Sequence, residues 1–304
     1  MNATPWQAQN LAAIERRLEG LRDLADGVIF EESSPLQQIC IIKQGNQILL
    51  YFVDPNSGAL DGPMSRIDID HPLRLPAEYA QAALLTLLWE PEPQRVCVLG
   101  FGGGRISMIL HHYLPQVVID NVDIDPALIP IAELFFGIAF DERQRITIQD
   151  GRAFLEQADP GAYDIIIMDA FRDQSDALDH LATTQFYEIC AAQLTRSGVF
   201  CANMLKSDAH LWEKMTTFRS HFRYVHVSEH KYSAVLFGAQ HKQITPQEQA
   251  RHARELQQAH RFDFPFVEQA DALQFYRDSP YAVNKPDGHI SALTDETPLD
   301  DAAA

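Results

Sequence analysis

Between Arg95 and Met204 the chain repeats one rhythm. Short apolar runs at Val96-Cys97-Val98-Leu99, Val117 to Ile124, Ile146-Thr147-Ile148, Tyr163 to Met168 and Val199 to Met204 are separated by segments of helical length. Near-continuous apolar runs alternating with helices predict strands buried on both faces of a parallel sheet. After a helix predicted over 210–222, Tyr224-Val225-His226-Val227 and Ala234-Val235-Leu236-Phe237 follow with only a short turn between them, which predicts an antiparallel pair closing the sheet edge. The N-terminal pattern differs. A polar amphipathic helix is predicted over 10–25, then strand-like runs at Val28-Ile29-Phe30, Ile39 to Ile42 and Ile48 to Val53, the last two joined by the hairpin signal Lys43-Gln44-Gly45-Asn46. Residues 54–63 read as loop, and 77–89 as a strongly apolar helix that ends before Pro91 and Pro93. A helix near 246–259 precedes Phe262, Phe264, Phe266, Phe275 and Tyr276, aromatic residues that predict a tail packed on the body. The expected organisation is an N-terminal helix and small β-hairpin unit over 1–76, an α/β domain over 77–240, and a helical segment with its tail over 241–304.

Composition narrows the function classes. In 304 residues, 42 Asp and Glu outnumber 24 Lys and Arg, for a formal charge of −18. Such a surface repels phosphate backbones and anionic membranes and attracts a cationic small molecule, so neither nucleic acid nor membrane is an expected partner. No stretch approaches 18 uninterrupted apolar residues, and Met1 to Trp6 lacks a basic region followed by an apolar one, so a cytoplasmic location is expected. Cys40, Cys97, Cys190 and Cys201 form no Cys-x-x-Cys pair and are expected as buried, reduced thiols.

Candidate chemistry concentrates where the strands end. Gly100-Phe101-Gly102-Gly103-Gly104 directly follows a buried strand and precedes a helix starting near Ile106. Glycines there let the chain turn tightly and let a ligand approach the main chain and the helix N-terminus, although a plain strand-to-helix turn would use the same residues. The next strand ends in Asp123-Ile124-Asp125-Pro126, at the spacing where nucleoside-binding folds place a carboxylate on the ribose hydroxyls. Asp123 is the expected ribose ligand, with Ile124 beside it, because Asp125 before Pro126 reads as the N-cap of the following helix. Asp150-Gly151 ends the third strand, where the carboxylate suits an adenine amino group, and the fourth ends in Asp169-Ala170-Phe171-Arg172-Asp173. Ligands of open parallel sheets bind beyond the carboxyl ends of the strands, and four successive ends here carry Gly or Asp.

With these residues in view, the stretch from about Ser65 to Gln240 resembles the spermidine synthase family of aminopropyltransferases, and in particular its divergent bacterial branch, within the Rossmann-like class I methyltransferase fold. The matching pieces are the Gly100 to Gly104 turn, Val122-Asp123-Ile124-Asp125-Pro126, Asp150-Gly151-Arg152-Ala153-Phe154, Tyr163 to Phe171, and Leu181-Ala182-Thr183-Thr184-Gln185-Phe186-Tyr187. The tail Leu293-Thr294-Asp295-Glu296-Thr297-Pro298-Leu299 is similar to the end of that branch. The resemblance implies decarboxylated S-adenosylmethionine as co-substrate, bound without a metal by Gly100, Gly102, Gly104, Asp123, Ile124, Asp150 and Gly151. It also implies a polyamine-type amine as acceptor. In that chemistry the amine attacks the methylene beside the sulfonium in line and methylthioadenosine leaves. An aliphatic ammonium has a pKa of about 10.4, so it must lose a proton before attack. Asp169 and Asp173 are the catalytic candidates. Tyr79, Asp169, His180 and Asp295 are the candidate acceptor contacts, Asp295 by return of the tail to the acceptor pocket. Family members are commonly dimers or tetramers, and the early β unit is compatible with a homodimer interface.

Some positions depart from the family pattern. In the family's Asp-Ser-x-Asp-Pro loop the second Asp is the proposed base; an ungapped match puts Arg172 there and Asp173 one residue late. The Asp inside the Gly-rich turn, which would grip the substrate's amino group, is matched by Gly103. The Tyr-His pair near the active site keeps only Tyr79, followed by Ala80, and a ribose-contacting Gln is replaced near Met64. Three readings therefore stand: aminopropyl transfer, S-adenosylmethionine-dependent methyl transfer, and a non-catalytic nucleoside-binding homologue. For the second, Arg105 could hold the methionine carboxylate, although an exposed arginine at a helix start is the plainer expectation. His111-His112 are expected at a helix end or on the surface, and His226 and His230 in strand and turn rather than on zinc.

Overall fold

The computed structural model describes residues 4–54, 57–60, 62–170, 180–286, 288 and 290–297. Helix α1 (Pro5–Leu18) leads into strands β1 (Gly27–Ser33), β2 (Gln38–Gln44), β3 (Gln47–Val53) and β4 (Ser65–Asp68), an antiparallel sheet in sequence order. α1 begins earlier than the apolar periodicity indicates. The Thr4 hydroxyl accepts the Gln7 N–H while the Gln7 side chain accepts the Thr4 N–H, a reciprocal cap with Pro5 in the first turn. It also ends earlier, passing at Glu19 into one 3₁₀ turn that contains Gly20. The hairpin falls as expected, Gln44 opposite Gln47 across Gly45-Asn46. β4, with a single apolar residue in Ser-Arg-Ile-Asp, left no pattern to read.

The second sheet holds β5 (Arg95–Leu99), β6 (Val118–Asp123), β7 (Gln144–Ile148), β8 (Tyr163–Met168), β9 (Leu194–Leu205), β10 (Tyr224–Glu229), β11 (Ser233–Ala239) and β12 (Gln274–Phe275), in the order β12-β10-β11-β9-β8-β5-β6-β7. β9-β8-β5-β6-β7 are parallel, and β10 and β11 antiparallel. The pair does not close the edge: β12 comes from the tail and pairs outside β10 at His226 and Val227. Two residues carry no periodicity, so only the folded chain reveals this strand.

Helices α2 (Glu78–Ala83), α3 (Arg105–Tyr113), α4 (Leu128–Phe135), α5 (Gly151–Glu156), α6 (Thr184–Gln193), α7 (Leu211–His221), α8 (Pro246–His260) and α9 (Phe266–Asp271) fill the connections and the tail. The apolar 77–89 segment is shorter as α-helix than expected and continues as a 3₁₀ helix, Leu84–Leu88. From Ala80 to Trp89 it is buried all round, which is why that stretch shows no polar stripe. Phe262, Phe264 and Phe266 pack into the same core, and Trp89 Nε1–H donates to the Lys242 carbonyl at 3.2 Å, so the tail is part of the body. A separate core joins Ile14 and Leu18 of α1, Ile39, Ile41 and Ile48 of the first sheet, and Leu128 and Phe135 of α4. All four cysteines are free and buried. Among the described residues no helix is long and apolar enough to cross a membrane.

His111 and His112 do close α3, but both are buried rather than on the surface. His111 Nε2 lies 3.0 Å from Asp141 and His112 Nδ1 3.3 Å from Asn10 of α1, which covers that helix end. His226 is 1% exposed, between the Trp89 and Phe275 rings. Burial pushes both His226 and His112 down to about 4. Unfolded histidines titrate at about 6.5, so below that value the unfolded chain binds more protons than the folded one. Stability should therefore be full above pH about 6.5 and fall toward pH about 4, with a slope of up to about 1.4 kcal/mol per pH unit for each histidine. Urea unfolding at pH 7 and pH 5 measures this. His226→Leu should flatten the dependence, and an unchanged slope would count against the assignment.

Candidate active site

The strand order places the candidate residues in one row. Along β8-β5-β6-β7 the carboxyl ends present Asp169, Gly100, Asp123 and Asp150 in turn. Neighbouring strands lie about 4.8 Å apart, so the row from Asp169 to Asp150 is roughly 14 Å long. The chain runs from β5 outward through β6 to β7, then returns to the other side of β5 as β8. That reversal makes Gly100 and Asp169 the topological switch point of the sheet, the place where ligands of open α/β sheets bind.

The glycine turn has two distinct physical causes. Gly100 has φ +89°, and a Cβ on it would lie 2.3 Å from the Asp169 carbonyl oxygen, so only glycine lets the two strand ends meet. A Cβ on Gly103 would lie 2.6 Å from Ser65 Oγ and 2.8 Å from the Phe136 ring. The space that the family's Asp would need is already filled. Gly102 faces open space, and Gly104 stands at the N-cap of α3.

Asp123 binds the turn itself. Its Oδ2 accepts the Phe101 N–H at 2.8 Å and its Oδ1 the Asp125 N–H at 3.0 Å; burial nevertheless holds the carboxyl above its ordinary range. Ile124 is half-buried beside it. Asp125 does not cap α4, whose N-cap is Ala127. Almost wholly buried, it accepts from Ala127 N–H, Ser34 Oγ and Gln37 Nε2, and so ties the β1–β2 loop to the end of β6. Nothing in the local pattern around Ser34 and Gln37 pointed to this.

Asp150 caps α5, which starts at Gly151, its Oδ1 accepting the Ala153 N–H at 2.9 Å, and its Oδ2 lies 2.7 Å from His180 Nε2. Burial raises the carboxyl, but these donors outweigh it and leave the pKa below the ordinary value. His180, a candidate acceptor contact, thus stands beside Asp150. Asp295, the other candidate from this part of the chain, also has partners of its own. Arg152 Nη1 and Nη2 donate to its two oxygens at 2.8 and 2.7 Å, so the tail carries a compensated charge to the Asp150 end rather than a free one to the acceptor end.

Asp169 sits at the switch point. Desolvation pushes its carboxyl up to about 7, against the hydrogen bond that Asn203 Nδ2 donates at 3.0 Å. Asn203, at the end of β9, escaped the sequence reading, although a single amide in the apolar run Val199 to Met204 was a usable signal. Tyr79 belongs to the same end: its hydroxyl lies 3.4 Å from the Met64 carbonyl, and burial followed by the Asp169 charge raises its pKa. Asp173 and Arg172 lie outside the described residues. Arg105 is not the exposed residue expected. It is 6% exposed, donates to the Pro72 and Arg74 carbonyls at 2.6 and 2.9 Å, and desolvation lowers it to about 9.

An open parallel sheet with a glycine turn and a row of carboxylates across its switch point defines a Rossmann-like α/β protein of the class I methyltransferase type. The family model described as "spermine/spermidine synthase domain" matches residues 81–237, just over half of the chain, and the chain belongs to that family. A polyamine aminopropyltransferase of Chromobacterium violaceum is 33% identical over 145 residues, covering 47% of this chain and 55% of that protein. The chain thus spans about half the length of that relative. The human eEF1A lysine and N-terminal methyltransferase is 30% identical over 146 residues, covering 42% of this chain and 21% of that one. Among solved structures, a probable spermidine synthase from Corynebacterium glutamicum superposes with a TM-score of 0.67 at 19% identity, over 91% of this chain and 98% of that one.

Proposed function

We propose that this chain transfers an aminopropyl group from decarboxylated S-adenosylmethionine to a polyamine-type amine. The observation that carries the reading is the row Asp169, Gly100, Asp123 and Asp150 along the strand ends of a chain that matches the spermine/spermidine synthase domain over residues 81–237, with the Asp169 carboxyl, pushed up by burial, placed at the switch point for a general base. The nucleoside lies along Gly100, Gly102, Gly104, Asp123, Ile124, Asp150 and Gly151, its ribose at Asp123 and its base at Asp150. The aminopropyl group then points back toward Asp169 and Tyr79. The acceptor nitrogen gives a proton to Asp169 and attacks the methylene beside sulfur; the C–N bond forms as the C–S bond breaks, and the electron pair leaves on sulfur as methylthioadenosine. The formal charge of −18 favours a cationic acceptor.

Methyl transfer is the second reading, favoured by the human methyltransferase relative and by Gly103, which leaves no carboxylate in the glycine turn for the donor's amino group. Against it, the guanidinium of Arg105 is committed to two main-chain carbonyls and is not free for a methionine carboxylate. Incubating the protein with each donor separately and a panel of diamines, with mass detection, decides between them. Methylthioadenosine from the decarboxylated donor supports aminopropyl transfer, S-adenosylhomocysteine from the intact donor supports methyl transfer, and binding without either product leaves a non-catalytic nucleoside-binding homologue.

A further inference from the structure

The segment Leu293–Thr297 is tied down on more sides than a free chain end requires. Leu293, 2% exposed, donates its N–H to Thr217 Oγ1 of α7 at 2.8 Å and accepts the Thr184 N–H, a first-turn donor of α6, at 2.8 Å. Two residues on, the Asp295 carboxylate takes the two-pronged donation of Arg152 and a further hydrogen bond from Thr183 Oγ1 at 2.7 Å, and its own N–H reaches Gln185 Oε1 at 3.1 Å. The carboxylate therefore sits at the start of α6, where negative charge is favoured, and its pKa is held low, chiefly by Arg152. Between this segment and the body lies a cavity of about 270 Å³, walled by Arg152, His180 and Thr183 on one side and by Leu293, Thr294, Asp295 and Thr297 on the other. His180, on that wall, touches the Asp150 oxygen that does not cap α5. The cavity thus adjoins Asp150 through His180.

We propose that Leu293–Thr297 forms the outer wall of the pocket for the nucleoside's base and that the Arg152–Asp295 pair is the latch holding it closed, an assignment that rests on the nucleoside reading above. Two parallel N–H···O bonds fix direction as well as distance, so an amide or a single-donor cation cannot reproduce the contact. Leu293 stays anchored by its own main-chain bonds, so loss of the latch frees the residues beyond it and opens the base end to water. Arg152 and Asp295 act as positioning residues: they hold the wall and need not touch the ligand.

Calorimetry with methylthioadenosine on the full chain, on Arg152→Gln, Asp295→Asn and their double variant, and on a truncation after Ser291 tests this, with thermal unfolding run in parallel to confirm that each variant is folded. Each single variant should bind roughly tenfold more weakly, the scale of one charge-assisted contact. The double variant should be no weaker than the weaker single, because both remove the same contact. Stopped-flow dissociation should place the loss in the off-rate, and the truncation, which removes Leu293 and the rest of the wall as well, should bind at least as weakly as the double variant. Folded variants that bind as tightly as the parent, or single losses that add in the double, overturn the wall and latch and leave the nucleoside reading standing. A parent chain that does not bind methylthioadenosine overturns the nucleoside reading and the latch with it.

Discussion

Asp169→Asn is expected to lower kcat/KM for the amine by about 10²- to 10⁴-fold, the usual cost of removing a positioned general base, while methylthioadenosine affinity stays close to that of the parent. The two halves of the result separate because Asp169 and Asp150 stand at opposite ends of the row along β8-β5-β6-β7. Asn fills the same volume and can still accept the bond from Asn203 Nδ2, so a lost rate reports a lost base and not a collapsed site. The parent rate should climb with pH through about 7, as Asp169 deprotonates, and this rise should disappear in the variant. Asn203→Ala gives an independent check on the sign. Without its donor the carboxylate loses the hydrogen bond that, among the described residues, lowers its pKa, so the rise should move to higher pH. Full activity in Asp169→Asn would remove the catalytic assignment. Asp173→Asn is expected to cost less, since Arg172, its neighbour in sequence, would compete for the same charge.

Asp123→Ala should weaken methylthioadenosine binding by about 1.5 to 3 kcal/mol, the range for hydrogen bonds to a charged group. Two losses combine in this variant. The ribose loses its acceptor, and the Phe101 and Asp125 N–H groups lose theirs, so the glycine turn loses the tie that holds it to the end of β6. Asp123→Asn should recover only part of the affinity, because an amide offers one acceptor oxygen and turns its NH₂ toward the other N–H. Burial raises the Asp123 carboxyl, and its protonation abolishes the charged acceptor, so parent affinity should fall as the pH is lowered. Isothermal titration of the parent at a series of pH values and of both variants at pH 7 measures all of these. Wild-type affinity in Asp123→Ala would show that the ribose lies elsewhere.

Local chemistry wrote the strands and their ends. Apolar runs at β-strand length, glycines after β5 and carboxylates after β6, β7 and β8 were legible because each depends on a residue and its immediate neighbours, and the parallel alternation then puts all four ends on one edge. The same locality explains the Thr4–Gln7 cap and the Gly45-Asn46 hairpin. What a side chain meets once the chain has folded is a different matter. Arg105 looked like an exposed helix start, yet the Pro72 and Arg74 carbonyls, about thirty residues earlier, take its guanidinium into the core. Asp125 had the local form of a helix cap, but Ser34 and Gln37 reach it from the first sheet. Asp295 looked like a free charge on the tail, but Arg152 and Thr183 offer it donors from two helix starts. Polar groups that leave water must find partners wherever the packing brings them. Sequence spacing therefore determined which residues line the edge of the sheet, and only the tertiary structure decided which of their charges are already taken.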